Sequence, residues 1–351
     1  MNRYIPIAIL GLAVLVAPGR SASAQTTIEH GSDWPDWAYG RLTPLAEGDA
    51  VAPPCPLDAK PTSCRNLSGE TLPDDGIKLA LPGAPNSYTR NEAWNGFGPA
   101  DWYPQDHPPM PEIVAHGNRE AGVRACALCH YPNGQGKMEN AHVAGLPKNY
   151  FLQQLDAFER GERHSADVRK VNTNEMARMP HWMTDEEKEQ AADYFSSLTF
   201  EPWIRVIETD EVPQVHATDG GLMIPVEGAP PMPIGNRIVE VPEIPERMEV
   251  HRDPRVGFVT YVPVGSLARG EELVKTGAGK TIQCGLCHGA DFRGIGDIPS
   301  IAGRTASYMM RQLWDIKQGT RKSPGAMEPV VQNLTSEDMR NIVAYLSSQA
   351  P

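Results

Sequence analysis

Apolar side chains recur at helical spacing in two separated regions of the chain. In the first region, Phe151, Leu155 and Phe158 occupy positions i, i+4 and i+7 and so share one helical face. Near the C-terminus the same kind of stripe is formed by Met339, Ile342, Val343 and Leu346. Helices are therefore predicted at 111–116, 149–158, 266–276 and 308–318, and after each of two capping boxes.

The two capping boxes open the last helix of each region. Thr184 stands three residues before Glu187, and Thr335 stands three residues before Asp338. In this arrangement the threonine hydroxyl and the later carboxylate each accept a backbone N–H of the first turn. Residues 109–200 and 263–351 are therefore predicted to form two similar, all-helical domains.

The segment between the helical regions, 201–262, has a different pattern. It is rich in proline and contains short runs of β-branched residues at 203–207, 237–241 and 257–261. Such a segment is too long and too rich in β-branched residues to be a simple tether. We expect an insert with a few short strands that packs between or across the helical domains.

Residues 25–108 precede the first helical region and show no sustained helical period. They are rich in proline and carry several aromatic residues, including Trp34, Trp37, Tyr39, Trp94 and Trp102. So many large rings are atypical of a disordered tail. We expect a loop-rich arm that wraps against a folded domain and buries those rings.

The first 24 residues have the pattern of a secretory signal. Arg3 is followed by thirteen mostly apolar residues, 4–16, and Ala22-Ser23-Ala24 forms an A-x-A cleavage site. A membrane span needs about twenty apolar residues, so an uncleaved anchor is the less favoured alternative. The pattern predicts export to the periplasm and a mature chain that begins at Gln25, with membrane association only through a partner.

The formal charge of the chain is −12. Removal of the predicted signal, which carries Arg3 and Arg20 and no acidic residue, makes it −14. This balance argues against nucleic acid or an anionic membrane surface as a partner. It is compatible with docking to a basic face of another protein.

Two copies of the pattern C-x-x-C-H carry the strongest chemical signal. They are Cys126-Ala-Leu-Cys129-His130 and Cys284-Gly-Leu-Cys287-His288. Two thiols three positions apart on one helical turn can both bond one porphyrin, and the histidine that follows can ligate its iron. A redox-active cysteine pair and half of a zinc site are the alternatives. Two copies favour covalent attachment of two haem c groups.

The two motifs are 158 residues apart, and the same offset extends beyond them. It relates Tyr150 to Tyr308, Gln154 to Gln312, Gly161 to Gly319 and Arg163 to Arg321. The two helical regions are therefore predicted to be copies of one domain.

Haem attachment uses four of the six cysteines and leaves Cys55 and Cys64. In an oxidising compartment, an even remainder across a short loop favours a structural disulfide, which would stabilise the fold by about 2–3 kcal/mol. A bridge between Cys55 and Cys64 is therefore predicted.

The repeat also indicates the sixth ligand of each iron, a position where methionine favours electron transfer. Met327 lies in a loop eight residues before Thr335, and Met176 lies eight residues before Thr184. Before Met176 the offset falls from 158 to 151, so the first domain has seven extra residues there. We predict Met327 and Met176 as axial ligands, with Met179 as the alternative to Met176.

Other candidate ligands of the first iron lie nearby. Met183 is close to the same cap, and three histidines are in the same domain: His142, His164 and His181. None of these histidines has a histidine at the matching position of the second domain. We expect them to have surface or loop roles.

These residues resemble the class I cytochrome c family, and the doubled arrangement is similar to the di-haem cytochromes of the c4 type. The resemblance rests on the two haem motifs, Pro299-Ser-Ile-Ala-Gly303, Tyr308, Gln312-Leu313, Met327 and the stretch 334–346. It implies a mainly α fold, with two helical bundles that each hold one haem between histidine and methionine. The Pro-rich insert with short β-strands would join them.

In that family, the proline of the P-x-x-A-G stretch lends its carbonyl to the haem histidine, and Pro299 matches this position. In the first domain Ala141 stands in its place, and Tyr131 replaces the glycine that usually follows the histidine. The resemblance therefore implies altered surroundings for the first haem and two unequal reduction potentials.

The resemblance implies a periplasmic electron-transfer protein and not an enzyme, since two six-coordinate irons leave no metal position for a small-molecule substrate. It would pass single electrons from a periplasmic donor, such as a dehydrogenase of which it is a subunit, to a respiratory oxidase or reductase. The alternative is a di-haem redox enzyme, peroxidase-like or thiosulfate-oxidising, with one open or differently ligated haem. A structural or assembly subunit, in which the haems form a wire, is a further alternative.

Overall fold

The computed structural model describes residues 33–42, 55–63, 76–323 and 325–351. Within these ranges, two helical domains flank a β-containing insert, and the arm lies against them. The predicted signal and Cys64 fall outside the described residues.

The arm contains short elements rather than long helices. Strands β1 (Leu79–Ala80) and β2 (Ser87–Tyr88) pair antiparallel and precede helix α1 (Arg90–Ala93). Short 3-10 helices lie at Asp36–Tyr39, Pro61–Ser63 and Pro104–Asp106. The loop-rich character predicted for this segment is confirmed in its described part.

The expected burial of the aromatic rings in the arm is confirmed for three of the five named rings, whereas Trp34 and Trp94 are half-buried. Trp37, Tyr39 and Trp102 are buried. Trp34 packs edge-on against Trp314 of the second domain, with 5.6 Å between ring centroids. Tyr39 donates its hydroxyl to Asp315 Oδ1 at 2.6 Å. The arm is therefore fixed to the second helical domain by apolar packing and a buried hydrogen bond.

The first helical domain is built from five α-helices. They are α2 (Glu112–Ala115), α3 (Cys126–His130), α4 (Lys148–Glu159), α5 (Val171–Met176) and α6 (Asp185–Ser197). A 3-10 helix at Met179–Trp182 links α5 to α6. The predicted helices α2, α4 and α6 are confirmed, whereas α5 is not predicted from the sequence.

The insert contains strands β3 (Ile204–Glu208), β4 (Glu211–Val212), β5 (Val215–Ala217), β6 (Met223–Pro225), β7 (Met232–Pro233), β8 (Val239–Pro242) and β9 (Phe258–Val262), with helix α7 (Pro245–Glu249) between the last two. The three runs predicted as strands form one sheet in the order β3-β9-β8. Its central strand, β9, pairs parallel with β3 and antiparallel with β8. Two small antiparallel ladders, β4 with β7 and β5 with β6, complete the insert.

The second helical domain contains α8 (Ser266–Thr276), α9 (Gly285–His288), α10 (Ala306–Lys317), α11 (Glu328–Val331) and α12 (Ser336–Ser347). Helices α8 and α12 cross at Gly270. A Cβ atom at this position would lie 2.0 Å from the backbone oxygen of Asn341. Glycine is therefore required at this crossing because the two backbones approach too closely for a side chain.

Both predicted capping boxes form. Thr184 Oγ1 accepts from the Glu187 amide at 3.2 Å, and Glu187 Oε2 accepts from the Thr184 amide at 2.8 Å. The corresponding distances between Thr335 and Asp338 are 3.1 and 3.0 Å. The start of α6 and the start of α12 are therefore set by the same local chemistry.

The insert contacts both helical domains. Tyr131 of the first domain lies in the apolar core of the insert, together with Met248 and Phe258. On the other side, Glu240 of β8 is fully buried and accepts from the amides of Ala306 and Ser307 at 2.8 Å each. A side chain of the insert therefore caps the N-terminus of α10.

Candidate haem-binding site

The first haem motif opens onto a large cavity. Cys126, Cys129 and His130 of α3 line it, and most of the remaining lining is apolar, including Phe151 and Phe195. Its empty volume is about 1340 Å³, including the space at its mouth. An apolar cavity with two cysteines and a histidine on one wall fits a covalently attached porphyrin.

The two motif histidines have matching hydrogen bonds. His130 Nδ1 donates to the carbonyl of Ala141 at 2.8 Å, and His288 Nδ1 donates to the carbonyl of Pro299 at 2.8 Å. Burial lowers the pKa of both imidazoles, so they are neutral. With the proton on Nδ1, Nε2 of each ring carries the lone pair that an iron requires.

These bonds correct one expectation about the first domain. The substitution of Ala141 for proline was expected to alter the support of the haem histidine. Because the acceptor is a backbone carbonyl, the side chain at this position is not needed, and the first histidine has the same 2.8 Å bond as the second.

Tyr131 is the clearer departure of the first motif. It adopts φ 62°, close to the φ 86° of Gly289 at the matching position, although positive φ is unfavourable for a residue with a side chain. Its ring is buried, and its hydroxyl donates to Met248 Sδ at 3.1 Å. The contact with the insert offsets the backbone strain, so the insert holds the residue next to the first haem histidine.

The alternatives to haem attachment find little support. Burial raises the pKa of the Cys126 thiol to about 12 and that of Cys284 to about 11, so neither is a ready thiolate nucleophile. In the described part of the chain, no three His, Cys, Asp or Glu side chains converge as a metal site would require. Cys55 is disulfide-bonded. Its predicted partner Cys64 lies outside the described residues, and that pairing stays a prediction.

The predicted methionines lie in the same domains as the expected motifs. Met176, at the end of α5, lines the first cavity together with Met179 and Met183. Met327 directly precedes α11 and packs into the same apolar cluster as Cys284. Each haem motif therefore has a thioether in its own domain, as a histidine–methionine pair of ligands needs.

The three other histidines have different environments. His142 lies in a loop, as expected, but it is buried and not at the surface, and its Nε2 lies 2.7 Å from Thr305 Oγ1 of the second domain. His164 lines the first cavity. His181 lies in the 3-10 helix before α6 and is not among the residues that line the cavity.

Helix α5 brings polar residues to the first cavity that sequence reasoning missed. Asn172, Thr173 and Glu175 line it, and Glu175 forms a buried ion pair with Arg124. These residues lie in the part of the chain where the repeat offset falls by seven. That change of offset was the available signal, but it gave no indication of a helix.

The residues related by the 158-residue offset meet at the contact between the two domains. Gln154 Oε1 accepts from Arg163 Nη1 at 2.9 Å and from Arg321 Nη2 at 3.0 Å. Gln312 Oε1 accepts from the same two guanidinium groups at 2.9 Å each. Arg163 and Arg321 also form an antiparallel backbone bridge. The contact therefore has approximate two-fold symmetry.

This contact borders the first cavity. Arg163, Gln154 and Gln312 line the cavity, as does Arg311 of α10. Among the ion pairs of the described residues, none includes Arg163 or Arg321. Arg163 and Arg311 thus bring two guanidinium groups to the cavity lining, and such groups are well suited to the two propionate groups of a haem.

No helix in the described ranges combines the length and hydropathy that a transmembrane span requires.

The two helical domains are similar to known proteins. The family model for cytochrome c matches residues 114–199 and 267–350. Cytochrome c-554(548) of Halomonas halodenitrificans is 36% identical over 88 residues, which are 24% of this chain and 98% of that protein. Cytochrome c4 of Azotobacter vinelandii is 32% identical over 107 residues, which are 27% of this chain. The match spans 50% of the length of that cytochrome c4.

Two further similarities cover more of the chain. The thiosulfate dehydrogenase electron acceptor of Thiomonas intermedia is 23% identical over 230 residues, or 64% of this chain and 78% of that protein. The crystal structure of reduced cytochrome c4 from Pseudomonas stutzeri covers 64% of this chain and 93% of its own, with 20% identity and a TM-score of 0.41.

Proposed function

Because this chain belongs to the cytochrome c family and holds two covalently bound haem c groups, we propose that it is a periplasmic electron carrier. A bound haem iron supplies one-electron chemistry, since it alternates between the ferric and ferrous states. The observation that carries the proposal is the pair of matching motifs, each with a buried neutral histidine oriented by a backbone carbonyl at 2.8 Å.

We assign each residue of the two motifs a role. Cys126 and Cys129 attach the first haem, and Cys284 and Cys287 attach the second. His130 and His288 ligate the irons through Nε2, with their Nδ1 protons held by the carbonyls described above. In this proposal these side chains hold the cofactor in place, and none of them takes part in bond-breaking chemistry.

Met176 and Met327 complete the coordination in this proposal, with Met179 as the alternative to Met176. The test replaces each methionine by alanine in the full chain with both haems attached. Met327→Ala and Met176→Ala should each abolish the methionine-to-iron charge-transfer absorption of one haem, whereas Met232→Ala, in the insert, serves as the matched control. If Met176→Ala leaves the first haem unchanged and Met179→Ala does not, Met179 is the ligand.

We propose that the donor is a periplasmic dehydrogenase and the acceptor a respiratory oxidase or reductase. Two relatives support the donor class by their names: a thiosulfate dehydrogenase electron acceptor and a cytochrome subunit of sulfide dehydrogenase. The signal-like N-terminus supports the periplasmic location.

The two haems should also differ in reduction potential. The first motif is enclosed by the insert through Tyr131, whereas Cys287 of the second motif is exposed. Burial in a medium of low polarity disfavours the more highly charged ferric state, so the first haem should have the higher potential. A redox titration with two resolved one-electron steps is expected, and a single overlapping transition would contradict it.

Spectroscopy separates the carrier from the redox-enzyme alternative. Low-spin signals from both haems and no binding of cyanide or carbon monoxide at neutral pH are expected for a carrier. A high-spin haem that readily exchanges its ligand would overturn the carrier proposal and favour the enzyme.

A further inference from the structure

The two haem motifs differ in how much of their surface is exposed. Around the second motif, four apolar side chains are exposed, and we call them the second-haem patch: Ile282, Leu286, Ile295 and Ile298. Leu286 lies between the two haem cysteines and is 68% exposed, and Cys287 beside it is exposed as well. Large apolar side chains clustered on a surface commonly mark an interaction site.

The matching positions of the first domain are covered. Leu128, which corresponds to Leu286, is only 2% exposed. The counterparts of the other three positions are also buried: Arg124, Lys137 and Asn140. The same offset that relates the two domains therefore relates an open haem motif to a closed one.

The arm supplies part of this cover. The amide of Ala125, directly before the first motif, donates to the carbonyl of Gly96 in the arm at 2.9 Å. Nearby, Trp182 Nε1 donates to the carbonyl of Asp58 at 3.2 Å, so a second part of the arm also lies on the first domain. In the described residues, the arm makes no such contact with the second motif.

The second-haem patch is close to the cofactor attachment. Leu286 belongs to α9, and Ile282 lies two residues before Cys284. Ile295 and Ile298 pair with each other through their backbones in the loop that leads to Pro299. Ile295 Cγ1 would lie 3.5 Å from a Cβ atom at Gly289, directly after the haem histidine. A protein that covers the patch would thus approach the second haem closely.

The charges near the patch nearly cancel, with Lys280 and Arg293 against Asp291, Asp297 and Asp338, although the chain as a whole carries −12. Arg293 lies 3.8 Å from Asp291, and Lys280 lies 2.8 Å from Asp338. A rim in which opposite charges pair with each other offers little attraction to a strongly charged surface. The complementary surface is therefore apolar and without a large net charge.

We propose that the second-haem patch is the docking surface for a redox protein whose own cofactor edge is framed by apolar side chains. The proposal rests on the proposed electron-transfer function and assigns the surface through which electrons enter and leave the protein. One electron passes from the partner, which is oxidised, to the haem held by Cys284 and Cys287, which is reduced. The first haem exchanges electrons with a partner protein through the second.

A second copy of this chain is a suitable probe, because its own patch is a surface of the proposed kind. The rate of electron exchange between oxidised and reduced protein is measured from NMR line broadening of haem methyl signals. The measurement uses 0.5 M salt, which screens charges beyond about 4 Å and so suppresses the repulsion between two acidic molecules. Wild type is compared with Leu286→Glu and Ile295→Glu, each with both haems attached.

Each glutamate variant should slow the exchange at least tenfold, because a charged carboxylate would have to be desolvated in the contact. The matched control is Leu42→Glu, an equivalent substitution at a 50% exposed leucine of the arm, which should exchange like wild type. Reduction by ascorbate should be the same in all four proteins, which shows that the haems themselves are intact.

The outcomes distinguish this proposal from the proposed function. If both haems are reversibly reduced but the patch variants exchange electrons as fast as wild type, the docking surface is wrong and the carrier function stands. Equal slowing by Leu42→Glu would likewise overturn the assignment to the patch. If wild type shows no reversible one-electron reduction, the carrier function itself fails.

Discussion

Acidification should weaken the structure through His142, which is buried at the contact between the two helical domains. Its Nδ1 donates to the carbonyl of Gln135, and its Nε2 accepts from the hydroxyl of Thr305 at 2.7 Å. Burial, together with the nearby Arg304 and Arg311, lowers the pKa of His142 to about 3. The ring is therefore neutral in the folded protein at any moderate pH.

The magnitude follows from the difference between the folded and unfolded pKa. A histidine in an unfolded chain has a pKa of about 6.5, so between pH 6.5 and 3 the unfolded state binds a proton that the folded state does not. The free energy of unfolding therefore falls as the pH falls through this window. At pH 5, 1.5 pH units below the unfolded value, the loss is about 2 kcal/mol.

The assay compares urea denaturation of wild type and His142→Gln at pH 7 and pH 5, followed by far-ultraviolet circular dichroism. Glutamine can donate and accept hydrogen bonds but does not titrate. The other titrating groups are common to both proteins and cancel in the comparison. Wild type should lose about 2 kcal/mol more than the variant between the two pH values. Equal losses in the two proteins would refute the reasoning.

Three further substitutions test contacts of the same structure. Gln154→Leu removes an acceptor shared by Arg163 and Arg321 and should weaken the contact between the two domains by about 1–3 kcal/mol. The measurement is small-angle scattering in mild urea, and a profile unchanged from that of wild type would contradict this expectation. Glu240→Ala leaves two buried amides at the start of α10 without an acceptor and should lower the free energy of unfolding by about 2–5 kcal/mol in urea denaturation, more than Glu240→Gln. Thr335→Ala removes the cap of α12 and should cost about 1 kcal/mol by the same measurement, while Thr335→Ser should be nearly neutral.

The helices were predictable because their signals are local. The stripe of apolar residues and the capping box before α12 depend only on neighbours along the chain, and α8 begins and ends where the pattern predicts, at Ser266 and Thr276. The strands of the central sheet were also found from short β-branched runs. Their order was not predictable, because the pairing of β3 with β9 joins residues separated by some fifty positions.

The surroundings of the first haem could not be predicted for a similar reason. The side chain at position 141 does not determine whether the backbone carbonyl of Ala141 accepts the hydrogen bond from His130. The burial of His142 depends on Thr305, which is 163 residues away in the chain. The covering of Leu128 depends on the arm, whose contacts with the first domain join residues that are far apart in sequence.

The repeat nevertheless contains more information than the positions of the haems. In a two-fold contact each partner uses the same surface, so residues at such a contact must occur in both copies of a repeated domain. Gln154 and Gln312 meet this condition, and each accepts hydrogen bonds from both Arg163 and Arg321. Positions that differ between the copies instead mark surfaces that only one domain uses, as the buried Tyr131 does against the insert. Positions with the same residue in both copies therefore locate the contact between the domains. Positions with different residues locate the places where the arm and insert cover one haem motif and leave the other open to a partner.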